Sequence, residues 1–103
     1  MTYYFGGIVL DIQVKFDDQE NKILVDLNGD LDLNSVNDFK RQMDEALEEN
    51  KTDVSISCVE LRYIDSTGLG VLVSILKKVK EYGGIMEIKA LKPYLFKIFD
   101  VTG

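Results

Sequence analysis

The chain has 103 residues, 46% hydrophobic and 29% charged, enough for one globular domain, residues 1–103, and too few for a second core. Lys and Arg total 12 against 18 Asp and Glu, and the resulting net charge of -6 repels phosphate backbones and argues against a nucleic-acid partner. With no histidine, Ser-His and Cys-His catalysis and imidazole-held zinc are excluded; the single cysteine, Cys58, allows no internal disulfide and reads as a small buried hydrophobe in the run VSISCV.

The first residues, MTYYFGG, lack a basic region and a long apolar region, so they do not read as a signal peptide and a cytoplasmic protein is expected. From Ile8 the chain alternates, with Ile8, Leu10, Ile12, Val14 and Phe16 on one face and Asp11, Gln13 and Lys15 on the other, which predicts a strand. DDQEN at 17–21 is the turn. KILVDLNG at 22–29 is a second strand, ended by Gly29, with Ile23, Val25 and Leu27 pointing one way; the two strands pair as an antiparallel hairpin. After DLDLN, the residues Val36, Phe39, Met43, Ala46 and Leu47 recur at helical spacing and predict a helix over 35–49, with Asn34 or Ser35 supplying the N-cap oxygen. NKTD breaks that helix, and VSISCVEL at 54–61 is a third, central strand.

YIDSTGLGVLVSILKKVKEYGG at 63–84 then reads as a loop entering an amphipathic helix that turns Leu69, Leu72, Val73, Leu76 and Val79 inward and ends at Gly83 and Gly84. Its apolar stretch, 68–76, is far shorter than the roughly 20 residues a membrane span needs. Lys77, Lys78 and Lys80 fall near its C-terminus, where cations complement the helix dipole. IMEIKAL at 85–91 is a fourth strand, and Pro93 opens a short last helix at 93–101 carrying Leu95, Phe96, Phe99 and Val101. The order β-β-α-β-α-β-α implies an α/β fold with a mixed sheet and right-handed crossovers, whose sites lie beyond the carboxyl ends of the strands.

At such an end sits DSTGLG, 65–70. Capping accounts for one acid or hydroxyl, and a glycine can let helix and sheet pack closely, but capping does not account for Asp65, Ser66 and Thr67 followed by both Gly68 and Gly70, each costing about 1 kcal/mol against alanine within a helix. A helix N-terminus favours an anion, so a phosphate on Ser66 would be well placed, and glycines at 68 and 70 would keep the first turn bare for an approaching partner. Asp26, Asp30 and Asp32 do not follow the calcium-loop order, because Gly29 stands fourth where the sixth position requires it. DLDLN also imitates a D-x-D-x-T phosphotransferase pattern with Asp30 as nucleophile and Asp32 as acid, and Asp65 could serve a receiver-like domain. Either would need a lysine, and Lys89 lacks the context for it. No P-loop supports a nucleotide site, and no cofactor is expected.

The chain resembles the STAS domain family, named after sulphate transporters and anti-sigma factor antagonists. The likeness covers nearly the whole chain, and is carried by LNGDLDLNSV before the first helix and RYIDSTGLGVLVSILKKVKEYGG at the signature loop. It implies a single domain with a mixed four-stranded sheet packed against helices, and a regulatory binding protein rather than an enzyme. It further implies an antagonist whose unphosphorylated form binds an anti-sigma factor that is also a serine kinase, with a separate serine phosphatase restoring binding. By the same resemblance Ser66 is the phosphoacceptor, with Thr67 the alternative hydroxyl, and Asp32, Asp65, Ser66, Thr67, Gly68, Leu69 and Gly70 form the partner surface. A rival within the family is a subunit of a stress-signalling scaffold or lipid-transport complex, assembled permanently through the same face.

Overall fold

A computed structural model describes residues 10–90 and 92, and the expected last helix at 93–101 lies outside them. The chain forms β1 (Asp11–Asp17), β2 (Lys22–Leu31), α1 (Val36–Glu49), β3 (Asp53–Ile64), α2 (Ser66–Glu81) and β4 (Met86–Lys89). The four strands make one mixed sheet in the order β1-β2-β3-β4, with β1 antiparallel to β2 and the β2-β3 and β3-β4 pairs parallel. Asp17 closes the hairpin turn by accepting the amides of Gln19 and Glu20, and Asn21 takes the left-handed conformation at φ 55° that asparagine tolerates.

Both helices cover the same sheet face. Val36, Phe39, Met43 and Leu47 of α1 and Leu69, Leu72, Ile75 and Val79 of α2 join Ile23, Val25, Leu27, Val54, Ile56, Cys58, Leu61 and Ile64 in one buried core. On α2 the inward residue is Ile75, while Val73 is 41% exposed and Leu76 only partly buried, so the expected inward face is corrected by a fraction of a turn. Phe16, expected on the buried side of β1, is 39% exposed at the sheet edge. Burial pushes the Cys58 thiol up to about 11, which leaves it unreactive at neutral pH.

Two strand ends differ from expectation, and both matter for the site. Gly29 does not end β2: at φ 120° it lies inside the strand beside a register irregularity, and pairing continues to Leu31. Nor does β3 stop at 61. Between Ser57 and Tyr63 it carries two more residues than the facing stretch of β2, so its core-facing residues pass from Cys58 to Leu61 to Ile64 in steps of three. Each extra residue is a bulge that bends the strand and restores the apolar face to the core.

Three ties hold the far end of α2. Gly83 has φ 82°, its amide donates to the Lys80 carbonyl at 3.0 Å, and the Gly84 amide donates to Val79 at 2.9 Å, the paired bonds of a Schellman cap. The Tyr82 hydroxyl donates to the Thr52 carbonyl at 2.6 Å. Lys78 reaches across to Asp44 of α1, which also takes Lys40 at 2.8 Å; with those two cations beside it the Asp44 carboxyl is held below its ordinary range.

Candidate functional site

Because β2 and β3 run parallel, their carboxyl ends lie side by side, and there Leu31 pairs with Ile64. From that edge β2 enters the 32–35 loop and β3 passes through a single residue, Asp65, into α2. Asp65 joins the two. Its amide donates to the Leu31 carbonyl at 3.3 Å, while its side-chain Oδ2 accepts the Leu33 amide at 3.1 Å.

The other carboxylate oxygen serves the helix. Asp65 is the N-cap of α2, and its Oδ1 accepts the Gly68 amide at 2.9 Å and the Thr67 hydroxyl at 2.6 Å. Partial burial by itself pushes the Asp65 carboxyl up, but the donors from Thr67, Gly68 and Leu33 outweigh that effect and hold it below its ordinary range. One carboxylate thus satisfies a free amide of the first helical turn and pins the neighbouring loop to the helix end.

The two glycines of the first turn do different things. A Cβ on Gly68 would collide with the Leu31 carbonyl oxygen and come within 2.9 Å of Ile64 Cγ1, so only glycine lets α2 sit this close to the end of β2. Gly68 is buried and Leu69 is 6% exposed. The expectation that Gly68 keeps the helix surface bare is therefore corrected: its reason is close packing beneath the surface. Gly70 is exposed, and among the described residues nothing beyond its own helix turn lies within 4 Å of where its Cβ would be, so the described fold does not require glycine there.

Ser66, at the first helical position, is exposed, and among the described residues its hydroxyl makes no hydrogen bond. Thr67 is also exposed, yet its hydroxyl is committed to Asp65. On the loop side, Asp32 Oδ1 accepts the Asn34 amide at 2.9 Å in an Asx turn. Ser35 occupies the N-cap position of α1 without capping it: its hydroxyl turns back, accepting from the Asp32 amide at 3.0 Å and donating to the Asp30 carbonyl at 2.8 Å. Neither Asn34 nor Ser35 provides the expected cap oxygen, because the hydroxyl is used to shape the loop.

Asp30 lies one pairing before the end of β2, opposite Tyr63. Its Oδ1 is buried without a hydrogen-bond partner; burial raises the carboxyl's pKa, the Asp32 charge raises it further, and the Arg62 guanidinium works against both. Lys89 pairs with Glu87 at 3.4 Å and stands opposite Ser57, well short of the carboxyl end of β3. Among the described residues no three acidic or cysteine side chains converge to hold a metal ion, and no helix is long and apolar enough to cross a membrane.

Three exposed apolar side chains near this edge escaped the sequence reading: Leu33 at 69%, Tyr63 at 49% and Val73. Ser66, Gly70, Val73 and Lys77 form one exposed stripe along α2, following the three-and-four spacing of a helix face. The available signal was Leu33 itself, an apolar residue between Asp32 and Asn34 in a loop with no core to face. The loop and this helix face thus expose apolar and small side chains on open surface near Ser66, a kind of surface suited to docking a protein rather than enclosing a small molecule.

Comparison with known proteins agrees with this fold. The family described as "Mlab, STAS domain" matches residues 14–103. The anti-sigma-B factor antagonist of Bacillus subtilis is 35% identical over 94 residues, covering 91% of this chain and 85% of that protein. Among solved structures, an anti-sigma factor antagonist from Mycobacterium paratuberculosis superposes with a TM-score of 0.74 at 18% identity, covering 92% of this chain and 79% of the other. The Bacillus cell fate determinant SpoIIAA in its phosphorylated form gives 0.70 at 20% identity, with coverages of 90% and 84%.

Proposed function

Given that the chain belongs to the STAS domain family, we propose that it is an anti-sigma factor antagonist that works by partner switching at Ser66. The observation that carries this reading is the contrast between two adjacent hydroxyls: Thr67 is tied to Asp65, and Ser66 stands exposed and unbonded at the helix N-terminus. The unmodified chain docks an anti-sigma factor through Asp32, Leu33, Ser66, Gly70 and Val73, and so frees the sigma factor. Asp65, Thr67, Gly68 and Leu69 hold that surface in shape, largely from beneath or beside it.

In this reading the anti-sigma factor is also the kinase. The Ser66 Oγ attacks the terminal phosphorus of a nucleoside triphosphate held by the kinase; the new O–P bond forms as the bond to the bridging oxygen breaks. The nucleoside diphosphate leaves, and the hydroxyl proton passes to a base of the kinase. The chain is the substrate of this step and catalyses none of it. A serine phosphatase reverses the modification.

Phosphate adds a charge of about -1.5 to -2 at a helix end that favours anions, so the modified chain is comfortable alone. Against a partner packed on Leu33 and Val73 the same charge must lose its water. That desolvation costs several kcal/mol, and at about 1.4 kcal/mol per tenfold it lowers affinity by a hundredfold or more.

A pull-down from source-cell lysate with magnesium and ADP tests the reading, with wild type and Ser66→Asp as baits. Wild type is expected to retain a small ATPase that Ser66→Asp does not. Retention of the same proteins by both baits would replace switching with permanent assembly in a scaffold.

A further inference from the structure

The hydroxyl next to the acceptor has its own task. Thr67 Oγ donates to Asp65 Oδ1 at 2.6 Å, and the same carboxylate holds the Gly68 amide on Oδ1 and the Leu33 amide on Oδ2. Thr67 is exposed, so burial does not dictate a hydroxyl there. Valine has nearly the same shape and would fit the position, but it could not make the bond.

We propose that Thr67 is a positioning residue that makes Ser66 the sole phosphoacceptor, by fixing the Asp65 carboxylate so that it clamps the 32–34 loop and cannot turn toward Ser66. This rests on the partner-switching reading above. A hydroxyl that donates to a carboxylate can be an activated nucleophile when the carboxylate has basicity to spare. Here it has little: two backbone amides share it, and its affinity for a proton is below that of an ordinary aspartate. Thr67 is thus held but not activated. Its oxygen also lies on the capping carboxylate, and reaching a kinase would require breaking its bond to Asp65.

The clamp sets the neighbourhood of Ser66 as well. Freed from Thr67, Asp65 has a single-bond rotation available that carries an oxygen away from the Leu33 amide. Among the described residues the hydrogen bond from Leu33 to Asp65 is the one that ties the 32–34 loop to the cap of α2, so the loop and its exposed Leu33 would lose their fixed place at the helix end. A carboxylate turned toward Ser66 would hold its hydroxyl away from the kinase and place a negative charge beside the incoming phosphoryl group.

The experiment compares wild type, Thr67→Val and Thr67→Ser, each produced in the chain's own cells, by mapping and quantifying phosphopeptides, alongside NMR of the purified proteins. Wild type is expected to carry phosphate on Ser66 alone. Thr67→Val is expected to lower Ser66 occupancy about fivefold to tenfold, shift the Leu33 amide resonance and move the Asp65 carboxyl titration up toward the ordinary range. Thr67→Ser should restore all three, which a purely steric role for the threonine methyl would not predict.

Phosphate on Thr67 in wild type, or equal Ser66 occupancy in wild type and Thr67→Val, would overturn the proposal while leaving partner switching in place. An unphosphorylated wild type that also retains no kinase would remove partner switching and this proposal together. A Thr67→Val chain that failed to fold would be recognised by its amide spectrum; Thr67→Ala then gives the same three readouts.

Discussion

The two ends of α2 each carry a pair of glycines, and the pairs have different explanations. At the C-terminal end the fold accounts for both: Gly83 takes the positive φ of the cap, and a Cβ on Gly84 would come within 2.9 Å of Val79 and closer to the Tyr82 ring. At the N-terminal end the fold accounts only for Gly68, wedged against the Leu31 carbonyl, while Gly70 faces open space. A glycine that the described fold does not need, beside the exposed Ser66, fits the docking surface proposed above. This is how a structural glycine is told from a functional one: by asking what an added methyl group would strike.

The comparison is sharpened by substitution. Gly68→Ala should have the largest effect, lowering stability by about 2–3 kcal/mol in urea denaturation, because the obstruction is backbone that must shift. Asp65→Ala comes next, at about 2 kcal/mol, through loss of the cap and of the loop bond together. This loss should depend on pH. The folded chain holds the Asp65 proton more weakly than the unfolded chain, so the stabilisation is complete above the unfolded value of about 3.9 and fades as pH falls through the lower folded one. Denaturation midpoints of wild type and Asp65→Ala should therefore converge in acid; a constant gap down to the lowest pH would refute the assignment.

Gly83→Ala is expected to cost about 1 kcal/mol, the strain of a side chain at positive φ. Gly70→Ala has the smallest effect on stability and the opposite sign, a gain of up to about 1 kcal/mol from helix propensity. It should nevertheless weaken capture of the anti-sigma factor. If Gly70→Ala captured its partner as well as wild type does, the distinction between the two pairs would fail at its functional half.

Much of this was legible from the chain. The alternation of β1 and β2, the 3.6-residue spacing of α1 and the glycine stop of α2 are local signals, and local physics produced them. What escaped notice depends on neighbours. The steps of three from Cys58 to Leu61 to Ile64 look like the end of a strand until β2 is set beside them. Choosing Ile75 over Val73 and Leu76 requires knowing the angle at which α2 meets the sheet. For Gly68 the chain alone does not decide between close packing and a bare docking surface, because its obstacle, Leu31, is 37 positions away in sequence. At the site, Asp65 and Ser66 stood out as residue types, but the bond from Leu33 that joins the two loops exists only through the parallel pairing of β2 and β3.

The two bulges of β3 have a consequence of scale. Strands with unequal residue counts lie side by side like the two rules of a vernier, and the offset between them places Asp65 within reach of both Leu31 and Leu33. Each residue of strand advances the chain by about 3.3 Å and turns the next side chain to the opposite face. A single deletion between Ser57 and Tyr63 would shorten the rule by one division and turn its tip over, moving the cap off its helix even if every apolar residue found a place in the core. Length in this stretch is thus held to a tolerance of one residue, and homologous chains should vary there in composition long before they vary in number.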